Sequence, residues 1–105
     1  MSDVLVRIKR AVLAGAYLFT DKARIEMLTD GLTELDVVES ISTAVAIHKT
    51  VRSRSLHRKK RGEKLYVIQS TNLAGLFIYT KGRLGPGPGP EGETFYVLIS
   101  AKRAV

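Results

Sequence analysis

The sequence predicts an α+β domain: short N-terminal helices packed on a mainly antiparallel, four-stranded sheet. Apolar residues recur at helical spacing through the first 43 residues. From Ala44 they switch to alternation and then to short continuous apolar runs. Helices and strands are therefore segregated along the chain, the order of an α+β fold and not of a βαβ winding. A length of 105 residues, 45% apolar and 26% charged, suits one domain with one modest core. Residues 1–105 are read as that single domain, with a helical half at 1–43 and a strand half at 44–105.

Ser2 can cap the first helix, where Val4, Leu5, Ile8, Ala11 and Val12 form one apolar stripe. Arg7 and Arg10 flank the stripe, and Gly15 is a natural stop. A second helix is expected from Thr20, with Asp21 in its first turn where the helix dipole favours an acid. It runs through Ala23 and Met27 to Gly31. Thr33 and Asp36 have the spacing of a capping box, with Asp in the usual Glu or Gln position. They open a third helix whose expected buried face is Leu35, Val38 and Ile41.

In the strand half, Val45, Ile47 and Val51 alternate with Ala46, His48, Thr50 and Arg52, a pattern that predicts a strand with one solvated side. A basic loop follows at 54–62. Residues 65–68, 76–79 and 95–99 are continuous apolar runs, expected as inner strands covered by the helices on at least one face. The Gly/Pro-rich segment 82–93 lies before the last of them. Alternating Gly-Pro cannot sustain a ladder, so a long exposed hairpin connection is expected there.

A formal charge of +7 and an isoelectric point near 10.0 point to a polyanionic partner, nucleic acid or an anionic surface. Residues 48–64 hold eight of the seventeen Lys and Arg, both histidines and one acid, Glu63. The chain has no cysteine, which excludes disulfide and thiolate chemistry and suits the cytoplasm. No apolar run approaches a membrane span, and Arg7, Lys9 and Arg10 interrupt any signal-peptide pattern. A soluble cytoplasmic protein is expected, with no membrane partner.

No HExxH, Cys/His cluster, P-loop or GxSxG is present, and no carboxylate pair has glycosidase spacing. Neither a metal nor a cofactor is therefore expected. Asp21, Glu26, Asp30, Glu34, Asp36 and Glu39 read as helix-surface acids. His48 and His57 read as surface histidines of the basic segment, with a catalytic role the lesser alternative. What remains is Lys49, Gln69, Tyr79, Lys81 and Lys102, polar residues emerging from apolar strands. One Lys or Gln in such a place is ordinarily just solvated. As a set they form a donor-rich constellation without an acid, suited to a phosphodiester whose oxygens gain charge in the transition state.

In order, Lys49-Thr50, Ile68-Gln69, Tyr79-Thr80-Lys81 and Ile99-Ser100-Ala101-Lys102 resemble the elements of the motility quorum-sensing regulator toxins. These are RNA-cleaving toxins of type II toxin–antitoxin systems with a RelE-like fold, in the RelE/ParE superfamily. Residues 19–27 and 31–38 are similar to a related group of small proteins with the pattern FTxHAxxRM…RGI…DV, often encoded beside antitoxins. Lys22 stands where that pattern has His, so no role of that His carries over. The Gly-Pro segment after Lys81 also departs from the family.

The resemblance implies that Lys49, Gln69, Tyr79 and Lys102 line a catalytic face. Lys49 and Lys102 would contact phosphate and stabilise charge, and one of them could accept a proton. Tyr79 would donate a proton or stack, and Gln69 would orient phosphate or base. The expected activity is a metal-independent endoribonuclease that cleaves mRNA by 2′-hydroxyl attack. Arg52, Arg54, His57, Arg58, Lys59, Lys60, Arg61 and Lys81 would grip the RNA backbone. The implied partner is an antitoxin, zinc-binding with a helix-turn-helix domain. The alternatives are a non-catalytic nucleic-acid-binding module and a toxin that blocks a protein target such as a topoisomerase.

Overall fold

A computed structural model describes residues 2–53, 63–86 and 94–104. The chain is α+β, with three helices and a five-stranded mixed sheet. The elements run α1 (Asp3–Leu13), β1 (Tyr17–Phe19), α2 (Asp21–Asp30), α3 (Glu34–Thr43), β2 (Lys49–Arg52), β3 (Lys64–Thr71), β4 (Phe77–Pro86) and β5 (Thr94–Arg103). The strand order is β1-β5-β4-β3-β2. Among the described residues, no helix is long and apolar enough to cross a membrane.

The helix ends follow their local chemistry. Ser2 Oγ accepts from Leu5 N–H, Thr20 Oγ1 from Ala23 N–H and Thr33 Oγ1 from Asp36 N–H. Thr33 N–H donates in return to Asp36 Oδ2 at 2.9 Å, completing the capping box. That backbone bond holds the Asp36 carboxyl below its usual range, and Asn72 Nδ2 donates to its other oxygen. Asp36 thus also ties the β3–β4 turn to α3. Gly15 and Gly31 take left-handed backbone beyond α1 and α2, where a Cβ would be strained.

The three helices cover one face of the sheet. Leu5, Ile8, Ala11 and Val12 of α1 bury the expected stripe, with Val4 packed at its margin. They meet Ile68, Ile78, Tyr96, Leu98 and Ala101 of the sheet. Full burial of each Leu or Ile side chain stabilises by roughly 1.5–3 kcal/mol.

Four expectations are corrected. The sheet has a fifth strand, β1, parallel to β5 through Tyr17–Tyr96, Leu18–Val97 and Phe19–Leu98. Three residues between a helix stop and a helix cap are too few to register as a period. In α3, Val37, Ser40 and Ile41 are buried while Leu35 is 64% exposed. The buried stripe is rotated by about one residue because the helix packs between α1 and β3. The strand expected from Ala44 begins only at Lys49, and Val45 is 84% exposed. Finally, Gly82 to Pro86 belong to the β4 ladder, with Pro86 opposite Thr94. Proline lacks only the N–H, and at the end of a ladder its carbonyl still pairs. The rest of the Gly/Pro segment lies outside the described residues.

Two acids close an otherwise open edge. Beyond Leu98, where β1 ends, the outer N–H groups of β5 face α2. Ala101 N–H donates to Glu26 Oε1 at 3.1 Å and Arg103 N–H to Asp30 Oδ2 at 2.9 Å. Four residues of helix advance about 6.0 Å and two residues of strand about 6.7 Å, so one helix face can match alternate strand amides. Thr20 anchors the start of α2 to the same strand, donating through N–H to Leu98 O and through Oγ1 to Ile99 O.

Candidate nucleic-acid interface

The sheet face opposite the helices carries the candidate site, and strand register determines its layout. Residues directly paired across antiparallel strands project to the same face. Gln69 pairs with Tyr79, and Tyr79 with Lys102. These three residues therefore form one rung across β3, β4 and β5, drawn from positions up to 33 residues apart in the chain. The next rung is Val67, Lys81 and Ser100, reached on the β2 side by Lys49. On β4 alone, Phe77, Tyr79, Lys81 and Arg83 share this face, two rings followed by two cations.

Within the central rung, Lys102 Nζ lies 5.3 Å from the centroid of the Tyr79 ring, a cation–π contact. Lys102 is exposed and Tyr79 half-buried. Burial pushes the Tyr79 hydroxyl above its ordinary value, and the charge of Glu26 pushes it further. The hydroxyl consequently stays protonated at neutral pH and well above it.

Glu26 adds an acid at the margin of this donor-rich set. Its Oε1 accepts from Ser100 Oγ at 2.6 Å and from Ala101 N–H, while Oε2 pairs with Lys22 Nζ at 3.4 Å. Burial alone would raise the carboxyl. The hydrogen bonds from Ser100 and Ala101 and the Lys22 charge outweigh it, so the carboxyl is held below its usual range. Glu26 is therefore an ionised group at the margin of the rung. Ser100 is itself 2% exposed. Neither residue was legible as a site residue, because the two meet across 74 positions of sequence. The one available signal was Lys22-x-x-x-Glu26, an i,i+4 pair that places both on one side of α2.

The expected site residues separate into four groups. Gln69, Tyr79 and Lys102 stand together. Lys49 and Lys81 occupy the adjacent rung, and Lys49 is three strands from Lys102, roughly 14 Å across the sheet. Gln69 and Tyr79 lie inside β3 and β4, which run on beyond the apolar segments 65–68 and 76–79. Arg52 pairs with Lys64 and shares the Thr50–Tyr66 side, the face opposite to Lys49. Arg54, His57, Arg58, Lys59, Lys60 and Arg61 lie outside the described residues. Arg83, absent from the expected set, holds Glu63 at 3.6 Å. His48 is exposed, and its N–H donates to Val67 O.

Among the described residues, no group of three or more His, Cys, Asp or Glu is placed to hold a metal ion. No family model, curated protein or solved structure matches the chain.

Proposed function

We propose that this chain is an endoribonuclease that cleaves single-stranded RNA through attack of a 2′-hydroxyl on the adjacent phosphate. The observation that carries the reading is the Gln69–Tyr79–Lys102 rung on the sheet face away from the helices, flanked by Lys81 and Lys49. In the proposed reaction the 2′-oxygen forms a bond to phosphorus and the bond from phosphorus to the 5′-oxygen breaks. The products are a 2′,3′-cyclic phosphate and a 5′-hydroxyl. Tyr79 supplies the proton to the leaving 5′-oxygen, and the proton lost by the 2′-hydroxyl passes to water at the exposed side of the rung. Lys102 balances charge on the phosphate oxygens, and the Gln69 amide orients them. The nucleophile is internal to the substrate, so positioning and electrostatics supply much of the acceleration.

The resemblance to the motility quorum-sensing regulator toxins extends the proposal to a toxin of a type II toxin–antitoxin pair. Its partner would be a zinc-binding, helix-turn-helix antitoxin.

The direct test is incubation of folded protein with RNA in EDTA, with and without ribosomes. Fragments ending in cyclic phosphate are expected. Intact RNA in both arms overturns the reading. Intact RNA together with salt-dependent binding would instead identify a nucleic-acid-binding module.

The charge environment of Tyr79 yields a pH prediction. Glu26 faces it from α2 and Lys102 from β5, while β3 contributes the neutral Gln69. Glu26→Gln keeps acceptors for Ser100 and Ala101 but removes the anion, so the Tyr79 hydroxyl titrates at lower pH. The alkaline limb of the cleavage profile is expected to move down in pH, and an unmoved limb would remove Glu26 from the account. Stability shifts at the other end of the scale. The folded-state pKa of Glu26 is depressed, so its contribution is present above the unfolded value and lost as pH falls through the folded one. The variant should accordingly lose part of the acid sensitivity of unfolding.

A further inference from the structure

Where β4 begins and β5 ends, Asp30, Gly75, Leu76, Phe77, Arg103 and Ala104 line a groove of about 510 Å³. Phe77 is the only Phe, among the described residues, with a substantially exposed side chain, at 45%. Its register opposite Thr71 places it on the same face as Tyr79, one rung away. The ring therefore belongs both to the groove and to the face that carries the Gln69–Tyr79–Lys102 rung. Asp30 also lines the groove, its Oδ2 anchored by Arg103 N–H at 2.9 Å. Its Oδ1 makes no hydrogen bond among the described residues. The groove thus combines an aromatic residue with a fixed acceptor.

We propose that this groove is a nucleobase subsite, taking the base beside the cleaved bond and favouring a base with an exocyclic amine over uracil. The proposal rests on the reading that the adjacent rung binds a nucleic-acid phosphate. An ionised carboxylate only accepts hydrogen bonds. It therefore matches the amino groups of adenine, cytosine or guanine and opposes the two carbonyl oxygens that flank the single N–H of uracil. Stacking on Phe77 is indifferent to base identity and supplies affinity, while Asp30 supplies the choice. Stacking selects the strand state: a base laid on the Phe77 ring must be free of its own stack, so the subsite takes a single strand.

Fluorescence anisotropy with labelled all-2′-deoxy hexamers of adenine, cytosine or uracil tests this. These hexamers cannot be cleaved by 2′-attack, so binding is measured apart from turnover. Wild-type protein is expected to bind the adenine and cytosine hexamers more tightly than the uracil one. Phe77→Ala should weaken all three by about 5- to 150-fold, the loss of one base stack. Phe77→Leu keeps apolar volume without a π face and should also weaken them. Asp30→Asn still accepts from Arg103 N–H but adds an amide donor, and should narrow the preference against uracil. Unchanged binding by both Phe77 variants, or an unaltered base preference in Asp30→Asn, overturns the subsite. Absence of hexamer binding by the wild type overturns it as well, even if RNA is cleaved. If the hexamers bind as expected while RNA stays intact in EDTA, the endoribonuclease reading fails and the subsite stands.

Discussion

Tyr79→Phe and Lys102→Ala are each expected to lower the proposed RNA cleavage in EDTA by about 10²- to 10⁴-fold, the range for losing a positioned proton donor or charge stabiliser. Tyr79→Phe is the cleaner of the two, because the ring beneath the Lys102 ammonium remains and only the hydroxyl is lost. Lys102 is exposed, so its truncation changes stability by no more than about 0.5 kcal/mol. Thermal unfolding of both variants should therefore track the wild type while single-turnover rates collapse. Lys49→Ala supplies the contrast. The family resemblance gives Lys49 and Lys102 similar weight, whereas register places Lys49 a rung away and three strands across. Its loss should chiefly weaken binding, raising KM and reducing the salt dependence. Equal losses of kcat at Lys49 and Lys102 would show that the rung is not the chemical centre.

Gly82→Ala is expected to be the most damaging small substitution on the sheet. A Cβ at Gly82 would lie 2.5 Å from Tyr96 Cζ, 2.7 Å from its hydroxyl and 2.8 Å from the Val97 carbonyl oxygen. The Tyr96 ring is fully buried beneath this position, and its hydroxyl, 3.5 Å from Tyr66 O, has little room to retreat. The Val97 carbonyl is backbone next to the irregularity at Lys81–Gly82, where Ile99 is the extra residue of β5. Forcing a methyl into such a site costs about 1–3 kcal/mol. At roughly 4–8 °C per kcal/mol for a domain near this size, Tm should fall by at least about 4 °C. Tyr96→Phe in the Gly82→Ala background removes the hydroxyl contact but leaves the Cζ and carbonyl contacts, so it should restore only part of the loss. A Tm within about 1 °C of wild type for Gly82→Ala would refute the packing of Tyr96 against β4. Because β4 and β5 carry Tyr79 and Lys102, a shifted register at Gly82 should also depress cleavage.

Much of the helical half could be read from local pattern. Ser2, Thr20 and Thr33 cap helices because a side-chain oxygen within three residues of a free N–H needs no tertiary help. Gly31 ends α2 for an equally local reason, its positive φ. The stripe of α1 is also correct, since Leu5, Ile8, Ala11 and Val12 admit only one buried face. The phase of α3 was less secure. Leu35, Val37, Val38 and Ile41 allow two overlapping stripes, and contact with α1 and β3 selects the one through Val37. β1 was not legible at all. Its three residues become a strand only because β5 offers an unpaired edge at Tyr96, Val97 and Leu98.

By itself, then, the sequence determined the α+β class, the helix ends, the excess of positive charge and the polar residues that interrupt the apolar strands. All of these follow from interactions within a few residues or from composition. Tertiary structure alone decided that Gln69, Tyr79 and Lys102 share a rung while Lys49 does not, because cross-strand neighbours depend on register and a one-residue slip would reverse every face. It also brought Glu26 to Ser100 and Asp30 to Arg103, contacts across 74 and 73 residues that exist only once α2 lies along the edge of β5. Apolar spacing says which side of a strand is buried. Which polar residues meet on the other side is set by the pairing of the whole sheet.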